Sequence, residues 1–167
     1  TSRIRQWQMM REGQITEAEP NAAHLALAEL YRLGKLDCVV TQNVDCLHQK
    51  AGLPGEIVFE LHGNSRGVSC LSCGRRYAYE DIRARLNAGE AVPDCTVCHG
   101  LLKPEVVFFG EALPPETLDA ANRRAVECDL CIVIGSTLVI YPAAYVPMLA
   151  LQSGAKLAIV NLSETPM

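Results

Sequence analysis

The chain has 167 residues, 49% of them hydrophobic and 20% charged, with a formal net charge of -4. That length supports one hydrophobic core, or one core with a small appended module. The acidic balance gives no basic footprint for a nucleic-acid partner, and the lack of any long unbroken apolar run argues against a membrane span.

The chain opens on TSRIRQ with no basic stretch leading into an apolar core, so no signal peptide is expected. Asn21 follows Pro20 and can cap a helix over 21–33, where Leu25, Leu27, Leu30 and Leu33 recur among alanines until Gly34 stops it. DCVVT at 37–41 reads as a strand buried on both faces, as suits a parallel sheet. TQNVDCLHQKAG follows, then a second strand at 57–61 within EIVFELHG. Residues 67–103 hold two short cysteine motifs and a helix near Tyr79–Leu86. VVFFG at 106–110 reads as extended, and Pro114 and Pro115 precede a helix to about Val126. LCIVIG at 130–135 is expected as a third core strand, a helix begins near Pro142, and KLAIVN at 156–161 is a fourth strand. Helices alternating with strands predict an α/β fold, a Rossmann-like and mostly parallel sheet with a small zinc-binding module inserted.

Eight cysteines in this length raise the possibility of a disulfide-stapled domain. Their spacing points elsewhere. Cys70 and Cys73 form one CxxC, Cys95 and Cys98 a second, and each pair sits in turn-like sequence, CLSCG and CTVCHG. Two such knuckles can present four thiolates tetrahedrally to one zinc, with no position left for water. His99 is not needed as a ligand. Cys128 and Cys131 repeat the spacing, but Cys131 falls in an apolar run with no knuckle glycine after it. Both read as core cysteines, as does Cys38.

In open α/β sheets, ligands bind beyond the carboxyl ends of the strands. Unusual polar residues collect at those ends: Gln42, Asn43 and Asp45 after the first strand, Gly135, Ser136 and Thr137 after the third, Asn161 after the fourth. Neither GxGxxG nor GxxxxGK[ST] occurs. Backbone N–H groups and hydroxyls at Gly135–Thr137 can still meet a phosphate or ribose, although turns need glycine anyway.

TQNVDCLHQKAG, ELHGN, CLSC with CTVC, LKPEVVFFGE, GSTLVIYPAAYVP and IVNLSETP occur in one order along nearly the whole chain. In this set the chain resembles the sirtuins, NAD-dependent protein-lysine deacylases, and Tyr141 with Pro142 resembles bacterial and archaeal members. Cys46 sits where the family often has glycine, GST replaces the commoner GTS or GSS, and Ile140 replaces a valine. The family's GAGxS loop, GIPxFR segment and terminal helix are not matched. The resemblance thus implies a catalytic domain lacking both ends, with little activity expected from these 167 residues alone.

The resemblance implies an organisation in four stretches. Residues 1–36 are part of the small helical region, 37–66 and 104–167 are the two parts of the Rossmann-like domain, and 67–103 is the structural zinc module. It implies NAD as co-substrate and one structural zinc per chain through Cys70, Cys73, Cys95 and Cys98. The acyl group would pass from lysine to ADP-ribose with release of nicotinamide, and His62 would be the catalytic base. Gln42, Asn43, Asp45, Gly135, Ser136 and Asn161 would bind NAD. Val107, Phe109, Gly110, Glu111, Val139 and Tyr141 would meet an acyl-lysine protein or peptide. Val107 and Phe109 alternate, so both can face one side of an extended segment. A monomer in the cytoplasm, with no nucleic-acid or membrane partner, completes the expectation. Mono-ADP-ribosyl transfer shares the first chemical step and stays open, as does a zinc-containing binding module for the isolated chain. An NAD oxidoreductase would need a hydride-transfer constellation that the sequence does not offer.

Overall fold

A computed structural model describes residues 2–12 and 18–166. Helix α1 spans Ser2–Glu12 and α2 Ala22–Arg32. Asn21 caps α2 as the sequence predicts: its Oδ1 accepts from Ala23 N at 2.9 Å and from His24 N at 3.2 Å. His24 Nδ1 lies 3.3 Å from the Asn21 N–H, closing a reciprocal capping box. Strand β1 is Val39–Thr41, a short helix α3 is Leu47–Lys50, and a single 3-10 turn at Gly55–Ile57 leads into β2, Val58–Glu60. Chain then runs out along β3, Gly63–Cys70, through β4, Arg76–Ala78, and α4, Tyr79–Asn87, and returns along β5, Leu102–Val106. Helix α5 is Pro115–Glu127, β6 Leu130–Ile134, α6 Tyr145–Gln152 and β7 Lys156–Val160.

Four strands pair in parallel, as two separate ribbons: β1 with β2, Val40 opposite Phe59, and β6 with β7, Ile132 opposite Ala158. The module is a three-stranded antiparallel sheet in the order β4-β3-β5. The expected boundaries at 66/67 and 103/104 fall inside β3 and β5, which carry the backbone from the parallel layer into the module and back.

Separate apolar clusters hold these pieces. Ala121 and Ala125 of α5 and Val146 and Ala150 of α6 pack with Leu61 at the end of β2, and Val40, Phe59 and Cys131 lean on the same cluster. Ala28 of α2 packs with Val39, Leu53 and Val58, which seats the helix on β1 and β2. Inside the module, Val68, Tyr79, Ile82, Leu86 and Leu102 surround Trp7 of α1, which is 1% exposed. Helix α1 falls in the expected small helical region, but neither its bounds nor α3 were expected. Both lack a clean apolar period, and α1 buries only Trp7.

Three expectations are corrected. The extended segment at 106–110 ends at Val106; Glu111 N bonds Phe108 O at 3.0 Å and turns the chain. The helix after Pro142 starts at Tyr145, because residues 141–144 form turns. The third strand is not buried on both faces: Leu130, Ile132 and Ile134 are 51%, 44% and 44% exposed. An apolar run reports what a strand can bury, and here only Val133 on the opposite face is buried.

Candidate functional site

His62 follows β2 and is held from three sides. Leu61 N bonds Thr41 O at 3.0 Å, which continues the β1–β2 ladder one step. Val107 N bonds His62 O at 2.9 Å, tying the histidine to the exit of β5. The ring's Nδ1 lies 2.9 Å from Gln42 O. A carbonyl only accepts, so Nδ1 carries the proton and Nε2 keeps a lone pair. Gly63 makes this geometry possible. Its φ is +69°, and a Cβ there would overlap the Glu105 carbonyl oxygen across the β3–β5 pairing.

The segment after β1 is equally constrained. Thr41 Oγ1 accepts from Asn43 N at 3.1 Å, and Ser65 N bonds Val44 O at 2.9 Å. Asp45 Oδ1 accepts from Leu47 N at 3.0 Å, a local turn that leads into α3, whose N-cap is Cys46. One carboxylate oxygen of Asp45 therefore serves the fold, while Asn43 is exposed beside it. Cys46, directly after Asp45, takes φ +61°, the left-handed region that favours glycine. Burial pushes its thiol above the ordinary range. Glu60, missed by the sequence reading, braces the whole turn. Its carboxylate accepts from Gln49 Nε2 at 2.7 Å, Asn64 Nδ2 at 2.8 Å and Arg66 Nη2 at 3.0 Å. Its place two residues before His62 is a weak signal that no spacing rule would have isolated.

The other expected positions form two further groups. Gly135 N bonds Val160 O at 2.9 Å, so the exits of β6 and β7, with Ser136 and Asn161, lie side by side. Ser136 Oγ accepts from Leu138 N at 3.3 Å, and its O–H is left to donate. Asn161 Nδ2 donates to Ser163 O at 3.0 Å, a local turn contact. In the segment 107–111, Val107 is half-buried while Phe109 is 99% exposed. Glu111 Oε2 accepts from Phe108 N at 2.8 Å and pairs with Lys103 Nζ at 2.9 Å. Those bonds, the backbone N–H first, hold its carboxyl below the usual range. Gly110 adopts φ +88° in this turn. Val139 and Tyr141 are exposed, and the Tyr141 ring meets Tyr145 edge-on at 4.7 Å. A groove of about 320 Å³ opens beside β2, lined by Phe59, Glu60, Gly63, Asn64, Glu105 and Thr117 among others, and none of the expected NAD or peptide positions lines it.

The four knuckle cysteines converge at the tip of the module. Their Sγ atoms all lie within 4.8 Å of one another, with Cys70 and Cys98 3.5 Å apart and Cys73 and Cys95 3.7 Å apart. A tetrahedral site with Zn–S near 2.3 Å needs sulfurs about 3.8 Å apart, so the set fits that ion. Ser72 N points at Cys70 Sγ at 3.4 Å and Val97 N at Cys95 Sγ at 3.5 Å, donors that favour thiolates. The Tyr77 hydroxyl, 3.1 Å from Cys95 Sγ, does most to hold that thiol down, at about 5. Gly100 allows the knuckles to close: a Cβ there would overlap the Ser72 hydroxyl and lie 3.0 Å from Cys70 Sγ. His99 points away from the role of ligand; it is exposed and outside the cluster. Cys128 and Cys131 are half-buried against apolar neighbours, and burial pushes the Cys131 thiol up. Cys38 is pushed to about 11 by burial and then by Asp37. Those three read as packing residues. No helix among the described residues is long and apolar enough to cross a membrane.

Comparison with known proteins agrees with this arrangement. An NAD-dependent protein deacetylase of Thermodesulfovibrio yellowstonii is 47% identical over 161 residues, 95% of this chain and 62% of that protein. One from Thermotoga maritima is 45% identical over 152 residues, 91% of this chain and 61% of its own length. This chain thus spans about three-fifths of those relatives. A solved complex of Sir2 with a p53 peptide and NAD+ superposes with a TM-score of 0.91 at 44% identity, covering 96% of this chain and 66% of that one. The family model for Sir2 proteins matches residues 2–142, and the chain belongs to the Sir2 family.

Proposed function

We propose that this protein is an NAD-dependent protein-lysine deacylase and that His62 is its general base. The observation that carries the proposal is the Nδ1 contact to the Gln42 carbonyl, which leaves Nε2 basic at the end of a parallel strand. NAD would supply a nicotinamide–ribose bond whose breaking gives the acyl group an electrophilic ribose carbon to join. His62 would take a proton from a ribose hydroxyl at Nε2, a step for which an imidazole is suited near neutral pH. Asn43, exposed, and Asp45, with its second carboxylate oxygen, would hold the nicotinamide side, and Gln42 would lie near the ribose. Gly135, Ser136 and Asn161 would hold the adenosine side. The turn around Val107, Phe109, Gly110 and Glu111 would admit the acyl-lysine, with Val139 and Tyr141 opposite.

The four cysteines would bind one zinc with all positions filled, a structural role. Residues 67–103 would then fold as the metal-held module between the two parts of the Rossmann-like domain, 37–66 and 104–167, with 1–36 in the small helical region. Residues 13–17 of that region lie outside the described residues. Use of NAD and eight unpaired cysteines support a cytoplasmic location.

The test is an acetyl-lysine peptide incubated with the full gene product, with and without NAD. Deacylation that needs NAD and yields nicotinamide with an O-acyl-ADP-ribose supports the reading. ADP-ribose attached to unmodified protein, with no peptide deacylation, would replace it by ADP-ribosyl transfer.

A further inference from the structure

Helices α2 and α3 meet through two imidazoles that the proposed chemistry does not use. His24 is buried in the first turn of α2, and its ring centroid lies 4.8 Å from that of His48 on α3, tilted by 56°. His24 has a polar partner, since its Nδ1 lies 3.3 Å from the Asn21 N–H and 2.9 Å from Asn21 Oδ1 within the capping box. His48 has no such partner: its Nδ1 is buried without a hydrogen bond. A charged imidazole donates from both nitrogens. Protonating His48 here would bury a donor with nothing to accept it, next to a second ring able to take the same charge.

The charged groups around the pair divide into opposing sets. Burial, then the neighbouring His24, lowers the His48 pKa; Asp45 and Glu60 act in the other direction and lose. Glu60 is already committed to Gln49, Asn64 and Arg66, and Asp45 to Leu47 N. Lys50, also on α3, reaches away to Ala18 O and Glu19. On α2, His24 has Asn21 as its polar neighbour.

We propose that the His24–His48 contact is a proton-sensitive joint, and that charge arriving on the His48 ring parts α2 from α3 and loosens the segment 43–46 that presents Asp45. His48 is thus a positioning residue: it follows directly on the turn that the Asp45 carboxylate caps, so the seat of α3 on α2 fixes where that carboxylate points. Sign follows from linkage. A folded-state pKa below the unfolded one means that the unfolded or opened state binds more protons. The joint's stability is then fully present above the ordinary imidazole value near 6.5 and is lost as the pH falls through that value towards the folded one. The consequence for nicotinamide-side binding rests on the deacylase reading; the opening of the joint does not.

Two measurements on the protein test it. Proton NMR of its four histidines, assigned by single substitution, should place the His48 midpoint below that of a free imidazole. His24→Gln should raise that midpoint, because glutamine keeps the capping bond at the third helical position but carries no charge. Amide exchange over residues 43–50, corrected for intrinsic rates, should speed up between pH 7.5 and 5.5. That gain approaches about tenfold for each unit by which the midpoint is depressed. The gain should shrink in His24→Gln, with the part due to burial of His48 remaining. His24→Phe, which keeps a ring but no charge, should behave alike, whereas a purely structural loss would raise exchange equally at both pH values. A His48 midpoint unmoved by residue 24, or the same protection of 43–50 at both pH values in the unsubstituted protein, would overturn the joint. Normal titration and opening in a protein that does not cleave NAD would instead overturn the deacylase reading and leave the joint standing.

Discussion

At the scale of single residues, the site depends on backbone groups as much as on side chains. His62 owes its tautomer to the Gln42 carbonyl and its place to the Val107 N–H. Replacing it by alanine should cost on the order of two to four powers of ten in turnover, the usual contribution of a general base. Thermal stability and zinc content should be unchanged, and turnover near the unsubstituted level would remove His62 from the mechanism. Gly63 is a separate case. Alanine there meets the Glu105 carbonyl and a positive φ at once. Gly63→Ala should lower stability by about 1–3 kcal/mol, in the range of overpacking and special-backbone strain, and urea unfolding measures it. The motif ELHG draws attention to His62, but the need for its glycine appears only when β5 comes alongside β3. Glu60 escaped notice for the same reason, since its partners Gln49, Asn64 and Arg66 assemble only in the fold.

At the scale of elements, local patterns were readable and partnerships were not. The helix α2 and its Asn21 cap were legible because cap and period lie within one turn of chain. The four knuckle cysteines were legible because two CxxC turns need no distant information to show their chemistry. Helix α1 shows the limit. Its sequence has little amphipathic order, yet its one buried side chain, Trp7, sits in the same cluster as Cys70 and Cys95. Arg3 pairs with Asp94 at 3.1 Å, and the Tyr79 hydroxyl donates to Met10 O at 2.7 Å. The exposed ion pair adds little, so α1 stays in place chiefly because the module around Trp7 is closed. Zinc removal should therefore release α1 as well as the knuckles. Trp7 is the single tryptophan, and chelation should shift its emission to longer wavelength. Cys70→Ser should give the shifted emission and lose the metal; Cys128→Ser should do neither. Metal retained by Cys70→Ser and lost by Cys128→Ser would refute the ligand assignment.

At the scale of the molecule, the α/β class and its four parallel strands were legible, while the three strands of the module and the surroundings of each strand were not. LCIVIG reads as buried, but Leu130, Ile132 and Ile134 share one face of β6, and Val160 beside them on β7 is exposed as well. Among the described residues nothing covers this face. An exposed apolar patch of that kind promotes association. The 167-residue chain should self-associate in sedimentation and bind a hydrophobic dye, and Ile132→Lys should reduce both without lowering the melting temperature. A monomer that takes up no dye would show that the face is closed in solution.

The same strand layout places His62, the Asn43–Asp45 segment and the Gly135–Asn161 pair each beyond the carboxyl end of a parallel strand, and on the proposed function they run NAD-dependent deacylation with His62 as base. The most direct test of that function is mass spectrometry of the products formed from an acetyl-lysine peptide and NAD by the full gene product and by its His62→Ala variant. Nicotinamide, free lysine peptide and O-acetyl-ADP-ribose should form in equal amounts from the first, and all three should fall by at least about a hundredfold from the second. Equal yields from both proteins, or deacetylated peptide with no acetylated ADP-ribose, would contradict it.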